Sequence, residues 1–499
     1  MGIFQGLLNA WDAVQIELLG EYTPSRVLAL NEYTNSTPWW RIVAFVFFTP
    51  LPCLIYICLP ETVNLSPPSD GMGHNKTFFG RFFLSYTMWC LLQMHMISER
   101  MPILSLSKNQ LVVSAVTVAA ISTGIELVYA WWIGFPVPYT IHMMAVPYVS
   151  LMFFAFAIIW YPHKMNGVQS TAFSLVLPLL KTLYRVMLYY FCRSASGERI
   201  TIVVVFNADL VNALFVNFCM QYEPSLMTTI SLMLANALKV LLIIRDIDVV
   251  RKRIAETATE IVELRKNDKY ASKLPGDRVS NSSMLPRAAD IFQRYTFETV
   301  KTGAMRVQQY IAKQTSDVSK LRQNSKTVVP VDTSVDKTAS TTNSMMETLS
   351  ELEQLERKYA SLVRKLMFAS EFSILRAFAE VITPIIYSLY LFIVFHMPNR
   401  NYYTQIDSMD STDLAKTVVN VLLYSLVELV AFVVVTQTLK KRLDFSTLHQ
   451  LAFVLDREMI HVQTAIILWV FYTTQISLEH YGTDYTFKFA WLHSNSTTA

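Results

Sequence analysis

Charge is what this sequence has least of. Of 499 residues, 16% are charged and 53% are apolar. Soluble globular domains carry about 25% charged residues, so an ordinary water-soluble fold is excluded. A net charge of +4, with no basic patch interleaved with aromatics, excludes a nucleic-acid partner. Five cysteines (Cys53, Cys58, Cys90, Cys192, Cys219) lie in or beside apolar runs. None forms a CxxC or sits at metal-ligand spacing from a histidine, so they read as small apolar packers rather than disulfides or metal ligands. No phosphate-cradling glycine loop, kinase signature, HExxH or nucleophile elbow occurs. The expectation is therefore not an enzyme, with no cofactor and no metal. Residues 1–38 lack a basic leader region and carry Asp12, Glu17 and Glu21, so no signal peptide is expected there.

What fills the chain instead is apolar runs long enough to cross a bilayer, which needs about 20 residues per helix. Nine stretches fit: 41–60, 77–97, 111–134, 139–160, 200–219, 226–244, 373–396, 413–438 and 459–479. A tenth, 171–191, contains Pro178, Lys181 and Arg185. Ser174, Pro178, Lys181 and Arg185 recur every three or four residues, which predicts an amphipathic helix lying in the interface with its cations toward headgroups. Charge bias then sets orientation. RDIDVVRKR after residue 244 and LKKR at 439–442 belong inside, which puts loops 61–76 and 398–412 outside. Counting 171–191 as a span would invert the first four helices against this rule. The expected fold class is all-α: a polytopic helical membrane protein with about nine spans, its amino terminus inside and its carboxyl terminus outside. Asn75 and Asn495 are glycan acceptors by pattern.

The expected organisation is an inside or interfacial segment at 1–40, six spans over 41–244, an insert at 245–372, three spans over 373–480 and an outside tail at 481–499. In the insert, Ile247, Val250, Ile254, Ile261 and Leu264 face a second heptad-like series, Leu349, Leu352, Leu355, Tyr359, Leu362 and Leu366. They predict an antiparallel, coiled-coil-like helical stalk over 245–266 and 346–372, about 30–40 Å long. Residues 267–345 read as a disordered tether with one amphipathic helix at 291–313. A cytoplasmic protein partner for the insert is an open expectation.

Ionisable groups inside spans are costly and default to functional hypotheses. Lys416, Asn420, Tyr424 and Glu428 recur every four residues in the eighth span. Asp209 and Asn212 share a face of the fifth, and Glu126 lies within the third. Glu126, Asp209, Asn212, Asn420, Tyr424 and Glu428 form the candidate intramembrane polar site, with Glu428 and Asp209 as its centre. Two readings stay open: a polar cavity for a small solute, ion or proton, or a network of interhelical hydrogen bonds worth roughly 0.6 kcal/mol each.

The stretches STPWWRIVAFVFFTPLPCLIYICLP, VVVFNADLVNALFVNFCMQ, FHMPNRNYY, LDFSTLHQLAFVLD and LEHYGTDYTFKFAWL resemble a large family of polytopic membrane proteins expanded in oomycetes. The resemblance covers most of the chain outside 265–345 and implies no activity, ligand or site residue. A transporter or channel-like protein is the leading expectation. The alternatives are a sensory receptor signalling through the insert and a membrane-anchored scaffold. The bilayer is the expected partner, with the plasma membrane as the default location and an endomembrane as the other.

Overall fold

A computed structural model describes Ile16 and residues 19–100, 107–141, 181–193, 197–222, 226–267, 284–297 and 334–484. The described residues are helical, and none forms a strand. In chain order the helices are α1 (Pro24–Ser36), α2 (Trp39–Phe48), α3 (Leu51–Cys58), α4 (Lys76–Arg100), α5 (Lys108–Trp132) and α6 (181–193). Next come α7 (Ile200–Val204, continuing through Val205–Asp209 into Leu210–Tyr222), α8 (Leu226–Asn267), α9 (Met284–Phe297) and α10 (Ser334–Phe395). The last are α11 (Ser411–Leu443), α12 (Thr447–Arg457) and α13 (Met459–Gln475).

Among the described residues, four helical segments are long and apolar enough to cross a membrane: Trp39–Thr62, Lys108–Trp132, Ser350–Phe395 and Ser411–Leu443. Their packing differs sharply. In the first, second and fourth, 22%, 22% and 28% of the apolar window is buried, against 72% in Ser350–Phe395. The long helix α10 is thus a central post, and α13 is likewise buried along nearly its whole length. The outer helices turn Phe47, Val113, Ile125, Val128, Leu423 and Val430 outward. An exposed apolar surface of that extent is rare on a monomeric water-soluble protein, and it fits hydrocarbon. Trp39 and Trp40 at one end and Trp131 and Trp132 at the other are exposed, as in aromatic belts at a bilayer's two interfaces.

The loops sort into two ends. At one, Asn399 Nδ2 donates to the carbonyls of Glu61 and Val63, and the Tyr139 amide donates to the Gly482 carbonyl. Loops 61–76, 133–141, 397–410 and 476–484 therefore meet there. At the other, Arg199 pairs with Glu458, Arg41 with Asp456 and Arg442 with Asp248, and the Tyr22 amide donates to the Arg364 carbonyl. This partition matches the one that charge counting gives, with the loops expected outside at the first end. The fourth expected span, from residue 142 on, lies outside the described residues.

Three expectations change. Lys181 and Arg185 on α6 are buried and paired with acids of the bundle interior, so this helix does not turn its cations to headgroups. Asn75 is fully buried, and its Nδ2 donates to the Pro67 and Gly71 carbonyls, leaving no accessible amide for a glycan. The tether is partly helical. Helix α9 spans Met284–Phe297 and includes 291–297 of the expected 291–313, and the helix that carries the expected 346–372 extends back to Ser334. Residues 298–313 and Asn495 lie outside the described residues.

Helices α8 and α10 run on past the apolar region and pack antiparallel. Ile254 and Ile261 bury against the side of α10 that carries Leu352 and Tyr359, while Arg265 holds Glu356 at 2.7 Å. Helix α9 packs against α10 and α1. Its buried Leu285, Ala288 and Phe292 face inward, Arg294 reaches Glu356 at 3.3 Å, and the Arg287 guanidinium sits 4.8 Å from the Tyr359 ring centre.

Candidate functional site

Helix α7 owes its geometry to a local loosening. Residues Val205–Asp209 form a single π-turn, a feature frequent at functional sites because it rotates the following side chains off the α-helical register. Trp469 Nε1 donates to Asn207 Oδ1 at 2.9 Å, fixing one side of the turn. On the other side Asp209 is fully buried. Lys181 Nζ lies 2.8 Å from Asp209 Oδ1 and 3.2 Å from Glu380 Oε1, and Arg185 Nε lies 3.6 Å from Asp209 Oδ2. The Arg185 guanidinium also rests 5.0 Å from the Phe372 ring centre.

Behind this pair of helices, Arg376, Glu380 and Glu428 line one cavity together with Ser373, Val240 and Val435. Its free space is about 20 Å³, room for about one water molecule. Pro384, inside α10, has no N–H to give the Glu380 carbonyl, so a backbone acceptor is released one turn from the cavity. Lys181, Arg185 and Arg376 balance Asp209, Glu380 and Glu428, so the cluster is formally neutral, and every member is at least nine-tenths buried or nearly so. By helical rise, Glu380 sits about 14 Å along α10 from Glu371, which belongs to the Arg41 and Arg442 end, and about 22 Å from Phe395 at the opposite end. The cluster therefore occupies one half of the bundle rather than its midplane.

Of the expected site residues, Asp209 and Glu428 come to this one cluster through Arg376 and Glu380. Asn212 follows Asp209 on α7, half-buried. Tyr424 is buried against Val216 one turn before Glu428, and Asn420 is half-buried. Lys416, expected on the same face, is exposed and pairs with Asp413 at 3.4 Å. Glu126 lies elsewhere: it accepts a 2.6 Å hydrogen bond from Thr140 Oγ1 and sits near the Tyr481 phenol at the end where the expected outside loops meet. Sequence reasoning missed Lys181, Arg185, Arg376 and Glu380 as members. The first two carry a signal, the four-residue spacing of cations on an otherwise apolar helix, but spacing alone does not say whether they face headgroups or acids.

Two other buried polar networks bracket the bundle. At the end with the expected inside loops, Glu371 is fully buried and takes Arg26 Nη2 at 2.9 Å and Thr201 Oγ1 at 2.5 Å, together with the Tyr22 hydroxyl. Gln450 Nε2 donates to the Tyr22 oxygen at 2.9 Å, and Gln450 Oε1 accepts from Ser370 Oγ at 2.7 Å. At the opposite end, Arg81 donates to Glu61 Oε2 at 3.2 Å and to Gln475 Oε1 at 2.7 Å, and the Tyr403 hydroxyl donates to Glu61 Oε1 at 2.5 Å.

His480 packs on this second network, 5.3 Å from the Phe78 ring centre. Its Nε2 donates to the Ser66 carbonyl at 2.9 Å, and its Nδ1 is buried without a hydrogen-bond partner among the described residues. Burial pushes its pKa down to about 4, with Arg81 adding to the effect and the Ser66 bond and Glu61 opposing it. The unfolded chain then binds the extra proton between about pH 6.5 and pH 4, so stability falls as pH drops through that window. The expected loss is roughly 3 kcal/mol at pH 4. Unfolding of the detergent-solubilised protein followed from pH 7 to pH 4 should show it, and His480→Gln should flatten that part of the profile; an unchanged profile in the variant would refute the assignment.

No family model matches the chain, and no curated protein and no solved structure matches it either. Function therefore rests on the residues themselves.

Proposed function

We propose that this is a nine-span membrane protein that passes a proton or small ion through the Asp209–Glu380–Glu428 cluster. The observation that carries the reading is the cluster's composition: Arg376, Glu380 and Glu428 line a water-sized cavity, and Lys181 joins Glu380 to the buried Asp209–Arg185 pair. A purely structural core gains little from such a set, because well-packed apolar residues of similar volume are usually as stable. Ionisable groups at membrane depth otherwise mark ion pathways and proton relays. A cavity of about 20 Å³ has no room for an organic solute, which favours a proton or a bare ion over the larger solutes that the sequence left open.

The test is flux. Purified protein in vesicles under a pH or salt gradient is expected to move charge, and Glu428→Gln is expected to cut the rate by about tenfold or more without loss of expression. Gln keeps the shape of Glu428 and removes only its proton and charge. Equal flux in the two proteins, across protons and the common monovalent ions, would sink the proposal. A signalling role is the second reading, supported by α8 and α10, which line the cavity and continue unbroken into an antiparallel packed pair.

A further inference from the structure

Helices α8 and α11 carry lipid-facing stripes that end in cations, and tertiary structure brings the two ends together. On α8, exposed Leu234, Leu238 and Leu241 lead along one face to Arg245 and then Lys252. On α11, exposed Leu423, Val430 and Val434 lead in the same way to Lys441, with Lys440 beside it. Contact between Arg442 and Asp248 fastens the two helices at this level, and Ile247 and Leu443 are buried in the seam.

The charge is one-sided. Segments 245–253 and 440–442 hold seven Lys and Arg residues against two Asp. Both acids are already engaged: Asp246 by Arg245 at 3.7 Å, and Asp248 by Arg442 and by Arg251 at 3.5 Å. Lys252, Arg253, Lys440 and Lys441 are exposed and have no carboxylate partner among the described residues.

We propose that the α8–α11 junction binds the phosphorylated headgroup of an anionic phospholipid, with the acyl chains lying along the two apolar faces. Clustered Lys and Arg just beyond a membrane helix attract anionic lipids. Continuity between the apolar stripes and the cations selects a lipid over a free anion, since a soluble phosphate would use only half of the surface. The proposal rests on the membrane reading of the fold and is independent of transport, so a flux failure at Glu428 leaves it standing.

The experiment is native mass spectrometry of the full chain in detergent micelles. Dioctanoyl phosphatidylinositol bisphosphate, dioctanoyl phosphatidylcholine and free inositol trisphosphate are added in turn. The bisphosphate lipid is expected to be retained at least about tenfold more than the other two. The triple variant Lys252→Gln, Lys440→Gln, Lys441→Gln is expected to lose that preference. A charge-matched control, Lys266→Gln, Arg357→Gln, Lys358→Gln, removes three cations elsewhere on the molecule and is expected to keep it. Equal retention of both lipids, equal retention of inositol trisphosphate, or equal loss in the control would each overturn the proposal.

Discussion

Asp209→Ala is expected to destabilise the protein by about 3–5 kcal/mol, the usual consequence of stranding buried charges by removing their partner. Asp209 is fully buried and receives both Lys181 at 2.8 Å and Arg185 at 3.6 Å. Without it, Lys181 retains Glu380, but Arg185 loses the acid it faces. Asp209→Asn is expected to fall between wild type and Ala, since it keeps the volume and an acceptor but no charge. Reversible unfolding in a detergent titration measures all three. A double-mutant cycle between Asp209→Asn and Arg185→Gln should show a coupling of about 0.5–3 kcal/mol. Additive losses would mean that the two side chains do not interact.

Arg26→Ala is expected to have an effect of similar size, about 3–5 kcal/mol, at a different place. Arg26 is 1% exposed, donates to Glu371 at 2.9 Å, and lies 3.8 Å from Glu198 and 4.0 Å from Glu458. Its guanidinium also stacks 5.0 Å from the Tyr22 ring and 5.7 Å from the Phe453 ring. One side chain thus ties α1 to α10, to α12 and to the 3-10 turn Gly197–Arg199 that precedes α7. Its removal leaves Glu371 with only hydroxyl donors and frees α1 from the bundle. Arg26→Lys keeps the charge but loses the planar fork, so it should recover part of the loss. The readouts are the unfolding midpoint and protease cleavage within 19–38, which should accelerate in the Ala variant. Unchanged cleavage would show that α1 is held by its apolar face alone, through Val27 and Leu30.

The same logic explains why the buried charges are paired across the chain rather than along it. Arg26 and Glu371 are 345 positions apart, and Arg81 reaches Gln475 across 394. Such contacts cannot hold a helix together locally. They hold helices to one another, where the hydrophobic effect between lipid-exposed helices is weak and polar contacts fix register.

Composition and periodicity alone determined that the chain is helical, that several helices are long and apolar enough to span a bilayer, and which loops belong together. The reason is physical: a bilayer forces about 20-residue apolar runs and biases cations to one side, and both leave linear traces. Ile254, Ile261, Leu352 and Tyr359, which repeat at the period of a packed helix face, are all buried in the structure. Partner choice decides everything else, and it left no such trace. Lys181 and Arg185 make one polar stripe whether they meet headgroups or Asp209, and only packing against α7 and α10 assigns them to the acids. Glu126 and Asp209 look alike in the sequence, yet one takes Thr140 near one end of the bundle and the other takes two cations well inside it. Asn75 carries an acceptor tripeptide, and only the folded loop uses up its amide. Helical spacing tells which residues share a face; tertiary structure alone tells what that face meets.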